Sequence, residues 1–236
     1  MEPSKNKNNF IKIYTGLSSI AIIILFVLVL AKKEDKYIDL LRTRGIVIVD
    51  KNDNERILIG APVPYASNRI RTDTIRAKDA WGFIHPDYME FYKKYDHSAN
   101  GILILDENGH DRIAIGNNAP DPNIGRRIAP LSGIALNDEN GFERTGYGIL
   151  KVNGIDRVNL GMDTNKGTEG LVLTVDDDGT TGVSIRGQKH NIFLGKADSL
   201  NWFSRNEYPF NGLLIQHTDS SKYNFNTFKK DVIHKK

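Results

Sequence analysis

The chain has 236 residues, 21 of them glycine, with 9% aromatics and no cysteine. That length allows one substantial domain with an appendage, and the missing thiols exclude disulfides, thiolate metal sites, a cysteine nucleophile and an acylated lipoprotein cysteine. The net charge of +3 sits at the ends: residues 1–36 hold six lysines against Glu2, Glu34 and Asp35, whereas residues 37–221 carry 21 basic against 25 acidic groups. A mildly acidic body with basic ends is poorly suited to hold a phosphate backbone, so no nucleic-acid partner is expected.

Residues 1–12 form a short basic leader, and residues 13–31 contain no charge. Nineteen helical residues at about 1.5 Å each span roughly 28 Å, close to a hydrocarbon core of about 30 Å. A cleaved signal peptide has an apolar run of only about 7–15 residues and a small-x-small site, whereas this segment ends Val29, Leu30, Ala31, Lys32, Lys33. A core helix would keep one polar face, and none is present. The expectation is an uncleaved single-pass transmembrane helix, a signal anchor, with the membrane as partner through residues 13–31. Counting basic residues on either side slightly favours a cytoplasmic body; a short basic leader before an N-terminal anchor favours the opposite, and we expect the body outside the cytoplasm. Residues 32–44 read as a juxtamembrane linker or short helix.

The body is expected over residues 45–195 and is organised around GILILDENGHDRIAIG, residues 101–116. This reads as a β-hairpin with a turn at Asn108 and Gly109. Residues 45–60 match it at nine of sixteen positions and residues 133–148 at eight. Among the features that recur in all three copies, three matter most: Asp closing the first strand (Asp50, Asp106, Asp138), Arg opening the second (Arg56, Arg112, Arg144) and a final Gly (Gly60, Gly116, Gly148). The Asp can accept from turn amides, the Gly permits a bend or close approach, and Asp and Arg can pair across the hairpin mouth. Recurrence itself favours scaffolding over catalysis, because a catalytic group is needed once.

Weaker copies follow, with turns at Asn153–Gly154 and at residues 176–179 and a last return strand at residues 191–195. Many strands are apolar on successive residues, a pattern of strands covered on both faces. The predicted fold is an all-β body of repeated hairpins, solenoid-, propeller- or sandwich-like, with a short helical insertion and one N-terminal transmembrane helix.

The insertion, residues 61–100, breaks the repeat. Pro86 suits a first helical residue with Asp87 in the first turn. Tyr88, Phe91, Tyr92 and Tyr95 then fall on one helical face, with Trp81 nearby. Such a face either docks the helix on the β-core or binds a partner or sugar ring; these five residues are the candidate partner-binding face. Residues 117–130 form a long irregular connection, and residues 196–236 an aromatic, polar extension with a basic tail.

No phosphate loop, metal-ligand spacing or serine elbow occurs, so no catalytic residue, metal site or cofactor is assigned, and an enzyme is the less favoured reading. The acidic turns at residues 50–55 and 176–178 do not match the twelve-residue calcium loop. Asp163, Glu169 and Asp176–Asp178 could supply a carboxylate pair, which leaves a carbohydrate-binding or glycoside-processing protein as the alternative. The leading expectation is a membrane-anchored β-repeat module, structural or interacting, with a protein partner or self-association.

Overall fold

The computed structural model describes residues 5–31, 40–117, 120–127, 129, 131–197 and 210–217. Most of the linker at residues 32–44, the aromatics Trp202, Phe203 and Tyr208, and the basic tail lie outside them. The chain divides into two compact units, Met1–Arg42 and Thr43–Lys236.

The first unit contains helix α1, Lys5–Ala31. Within it Asn9–Leu28 is long and apolar enough to cross a membrane, properties that a signal sequence shares. Its apolar side chains are exposed, among them Phe10, Leu17 and Phe26. The Thr15 hydroxyl avoids an unpaired polar group by donating to the Ile11 carbonyl at 2.9 Å, as serine and threonine do inside apolar helices.

The second unit is one antiparallel sheet of eleven strands in chain order. The strands are β1 (Gly45–Val49), β2 (Glu55–Gly60), β3 (Asn100–Leu105), β4 (Asp111–Asn117), β5 (Leu131–Asn137), β6 (Glu143–Val152), β7 (Ile155–Asp163), β8 (Glu169–Asp176), β9 (Thr181–Arg186), β10 (His190–Ala197) and β11 (Phe210–His217). The sheet does not close, so β1 and β11 are its edges. The all-β expectation and the apolar helix are observed, and the described strands form a single meander. It continues past residue 195 into β11, where the sequence shows only a short apolar run.

Register explains the repeats. Gly45, Gly60, Gly101, Gly116, Gly133 and Gly148 lie side by side across β1–β6, and Gly182, Gly195 and Gly212 continue the rung across β9–β11. Asn159 and Thr174 fill the gap on β7 and β8, with the Thr174 hydroxyl 2.6 Å from the Asn159 side-chain oxygen. A Cβ at Gly133 would stand 2.6 Å from the Gly148 Cα, and one at Gly148 2.9 Å from the Gly133 Cα. The final glycine of each copy is therefore set by the approach of the neighbouring strand, as its position at the strand end suggested.

The turns are equally regular. Asp50 Oδ1 accepts from the amides of Asn52 (2.8 Å) and Asn54 (3.1 Å), Asp106 from Asn108 (2.9 Å) and His110 (2.9 Å), and Asp138 from Asn140 (3.0 Å) and Phe142 (3.1 Å). The left-handed position that follows is Asp53 at φ 62°, Gly109 at 86° and Gly141 at 78°, the αL residue of a three-residue hairpin loop. Arg56 and Arg144 approach Asp50 and Asp138 across the hairpin mouth at 3.2 and 3.8 Å. Each arginine also reaches the next hairpin: Nε of Arg56 donates to the Leu105 carbonyl (3.0 Å), Arg112 to Asn137 (3.1 Å) and Arg144 to Asp163 (3.2 Å). The recurring arginine thus joins successive hairpins at their turn ends.

One face of the sheet is covered over β2–β4, while at its β1 edge Val47 on the same face is 41% exposed. Residues between β2 and β3 form a 3-10 turn (Ile70–Thr72), α2 (Thr74–Trp81) and α3 (Tyr88–Lys93). Asp73 caps α2, accepting from Ile75 N at 2.9 Å and Arg76 N at 3.1 Å, which satisfies two of its orphan donors. Val63, Ala66 and Ala99 pack with Leu58, Leu103, Leu105 and Ala114 of β2–β4. Farther along the sheet Val172, Phe193 and Leu214 form a smaller buried cluster, in which the Phe193 ring lies over Gly182.

Candidate functional site

The opposite face has no such cover among the described residues. Alternate positions on the strands build two further rungs. The first runs from Ile46 through Ile59, Ile102, Ile115 and Ile134 to Leu213 without a charge, and the second from Ile48 through Ile57, Ile104 and Ile113 to Ile215, with Thr145 its one non-apolar member. None of these residues is buried. Ile134 is 40% exposed, Tyr147 56%, Leu173 40% and Leu194 55%, as expected where side chains shelter one another laterally but nothing lies on top. Ile149 and Val175 widen the band in its middle. The rung between the two, on the covered face, holds the buried Leu58, Leu103, Ala114, Ala135, Val172, Phe193 and Leu214.

At about 4.8 Å per strand the band is roughly 50 Å long, and two rungs about 6.8 Å apart make it roughly 14 Å wide. The footprint is on the order of 700 Å². The largest apolar patch of an ordinary monomer is about 300–600 Å², so this face exceeds it.

The five aromatic candidates are distributed differently. Trp81, Tyr88 and Tyr92 are turned into a buried cluster with Ile70 and Ala77. Trp81 Nε1 donates to the Asn140 carbonyl at 3.1 Å, and the Tyr88 hydroxyl to the Pro122 carbonyl at 2.7 Å; Tyr92 donates to the Arg71 carbonyl. Phe91 is half-buried beneath the Arg126 guanidinium, 4.6 Å from its ring centre, and Tyr95 is 39% exposed. The i, i+3, i+4, i+7 spacing of these aromatics places most of that face inward. Helix α3 starts at Tyr88, with Asp87 as its cap residue, two positions later than Pro86 suggested.

Three acidic side chains fasten the covering segments, and all precede the recurring arginine. Glu55 accepts from Ser67 N at 3.1 Å and Oγ at 3.2 Å. Asp111 takes a bidentate contact from Arg69, 2.7 and 2.6 Å, and one from Arg71 at 3.1 Å. Glu143 pairs with Arg127 at 3.0 Å. Both arginines on Asp111 are almost fully buried; their other nitrogens donate to the carbonyls of His97 (2.9 Å) and Pro120 (2.8 Å), and Arg71 lies over the Trp81 ring. Burial alone would raise the Asp111 carboxyl, but the two guanidiniums and their hydrogen bonds outweigh it and hold it at about 2.

Around Glu143 the balance is reversed. Burial, opposed by Arg127 and aided by Asp121 and Asp163, lifts Glu143 to about 7. Asp163 rises to about 6 through burial and the charges of Asp121 and Glu169, and burial raises Asp121. Asn123 ties the group together, its side-chain amide donating to the Glu143 carbonyl at 3.2 Å and lying 3.5 Å from Asp163 Oδ2, while Asp121 Oδ1 accepts from its backbone amide at 2.7 Å. Glu143 and Asp163 can carry protons near neutral pH. Of the acids considered from sequence, only Asp163 belongs to this group; Glu169 pairs with Arg186 at 2.7 Å and Asp176 faces Arg157 at 3.7 Å.

In the acidic turn at residues 50–55 the Asp50 carboxylate is engaged by the turn's own backbone amides, which lowers it, first through Asn52. Among the described residues no three His, Asp or Glu side chains converge on a metal-sized position. An open groove of about 1300 Å³ lies at the glycine ends of β1–β3, walled by Thr43, Pro62, Val63 and Pro64, with Arg44 its one ionisable lining residue. No family model, curated protein or solved structure matches the chain.

Proposed function

We propose that the protein is a single-pass membrane-anchored module whose β-body, held outside the cytoplasm, acts by packing against another protein rather than by catalysis. The observation that carries this reading is the uncharged apolar band of two rungs that spans all eleven strands on the bare face. Strands apolar on successive residues need cover on both faces, and the described chain supplies it for part of one. A sandwich, one of the three architectures the sequence left open beside a solenoid and a propeller, then arises between two layers, only one of which this sheet provides. The helix at Asn9–Leu28 supports anchoring by its length and composition.

Two treatments of cells expressing the full chain test the reading. Alkaline carbonate should leave the chain in the membrane pellet, and protease added to intact cells should trim the body. Release by carbonate, or complete protection from protease, contradicts it.

A second reading, a glycoside-processing protein, draws on the raised carboxyls of Glu143 and Asp163, since a protonated acid near neutrality suits general-acid work. Against it, Trp81, Tyr88 and Tyr92 are buried and offer no stacking platform. Hydrolysis of cell-surface polysaccharide by the full chain, lost in Glu143→Gln, would establish this second reading.

A further inference from the structure

We propose that the apolar sheet face is covered by the same face of a second copy of this chain, the two packing as the layers of a β-sandwich. This rests on the reading of the body as an interaction module and names its partner.

Lipid does not suit the face. The sheet is open, with β1 and β11 as edges, and open sheet edges are not tolerated in hydrocarbon. A flat band of isoleucine, leucine and valine instead suits another sheet, because stacked sheets pack about 10 Å apart through interdigitated apolar side chains. The footprint on the order of 700 Å² lies close to the ~800 Å² per partner of a standard specific interface. The band is also its own complement: both rungs are uncharged across the whole sheet, and apolar except at Thr145, so they require no matching pattern of charges. Such an isologous pair closes on itself and consumes the exposed surface.

Symmetry sharpens the prediction. A two-fold axis between the layers that overlaps the full bands lies either along the strands or across them. The first sets β1 on the partner's β11 and the second sets β1 on β1, but both set β6 on β6. β6 is the central strand of eleven, and its outward residue Tyr147 is 56% exposed. Tyr147 therefore meets, or nearly meets, its own copy.

The chain has no cysteine, so single introduced thiols report on their surroundings without background. Tyr147→Cys in the full-length protein, in membranes, should link two chains with a short bis-maleimide, and Leu194→Cys, on β10, should link less if the axis lies along the strands and as well if it lies across them. Lys166→Cys, in the exposed turn after β7, should link least. Adding Leu173→Lys to Tyr147→Cys should abolish the link while circular dichroism still reports the sheet. If the thiol of the Tyr147→Cys variant reacts freely with soluble maleimide but does not join two chains, the proposal is overturned. The same holds if that thiol is shielded from reagent without joining them, because something other than a second copy then covers the face. Linking of the introduced thiol only to a different protein also overturns it. Any of these failures with the chain still in the membrane pellet and trimmed by protease leaves the anchored interaction module standing.

Discussion

The two faces of the sheet share strands, turns and apolar composition, yet differ in how they are finished. On the covered face small and large residues alternate with acids that reach out of the sheet: Glu55, Asp111 and Glu143 hold Ser67, the Arg69–Arg71 pair and Arg127. Among the described residues the bare face has no such fasteners; its two rungs are nearly continuous aliphatic surface. The face covered by its own chain is tied down locally by hydrogen-bonded charges, whereas the two rungs of the other face are apolar and unmarked. Polar fasteners would cost desolvation wherever the second layer failed to pair them.

Breaking the covered face should have the largest effect. Asp111→Ala leaves Arg69 and Arg71 buried without their carboxylate, and losing one partner of a buried pair typically costs about 3–5 kcal/mol. The expected result is a large fall in the unfolding midpoint of the full chain, with the aromatic cluster around Trp81 exposed and its fluorescence shifted to the red. Next comes the glycine rung. Gly133→Val forces a branched side chain against the Gly148 backbone and should cost roughly 1–3 kcal/mol or more, as overpacking does, without releasing the insertion.

The acid cluster sharpens the comparison through pH. Glu143 and Asp163 are raised in the folded protein, to about 7 and about 6, from ordinary values of 4.5 and 3.8. The folded state therefore binds protons that the unfolded chain has released. Their contribution is fully present below pH ~4 and is lost as pH rises through 6–7. Glu143→Gln should flatten that dependence, so the difference between wild type and variant in thermal midpoint should change sign or shrink between pH 5 and pH 8. His97 acts in the opposite direction: burial lowers it to about 4, so its contribution is present above about 6.5 and lost as pH falls. Taking the difference between wild type and the Glu143 variant cancels this term.

The smallest effect on the single chain should come from the bare face. Leu173→Thr removes apolar area already 40% exposed and should change protomer stability by no more than about 0.5 kcal/mol, while weakening the association of copies. That dissociation of stability from assembly is what separates the two faces.

Much of this arrangement is written locally in the sequence. The aspartate of each turn and its αL partner lie within four residues of one another, so Asp50, Asp106 and Asp138 reveal their role by spacing alone. The glycine rung is visible in the repeat because every copy faces the same close approach. What is not legible is where each side chain finds a partner in another segment. The carbonyl that Arg56 reaches belongs to Leu105, 49 positions away, and the acid before each arginine recurs visibly but meets a different segment each time. The spacing of Tyr88, Phe91, Tyr92 and Tyr95 shows a face and does not show which way it turns; Tyr92 turns inward and Tyr95 stays at the rim. The doubly apolar strands signal cover on both faces, and among the described residues Tyr147, Leu173 and Leu194 remain exposed on one of them.

The most direct measurement is the mass of the full-length protein in detergent micelles by light scattering, corrected for bound detergent, across a range of concentrations. The account predicts twice the chain mass, falling to the chain mass when Leu173→Lys places a charge on the apolar face. A chain mass at every concentration for the wild-type protein would contradict it.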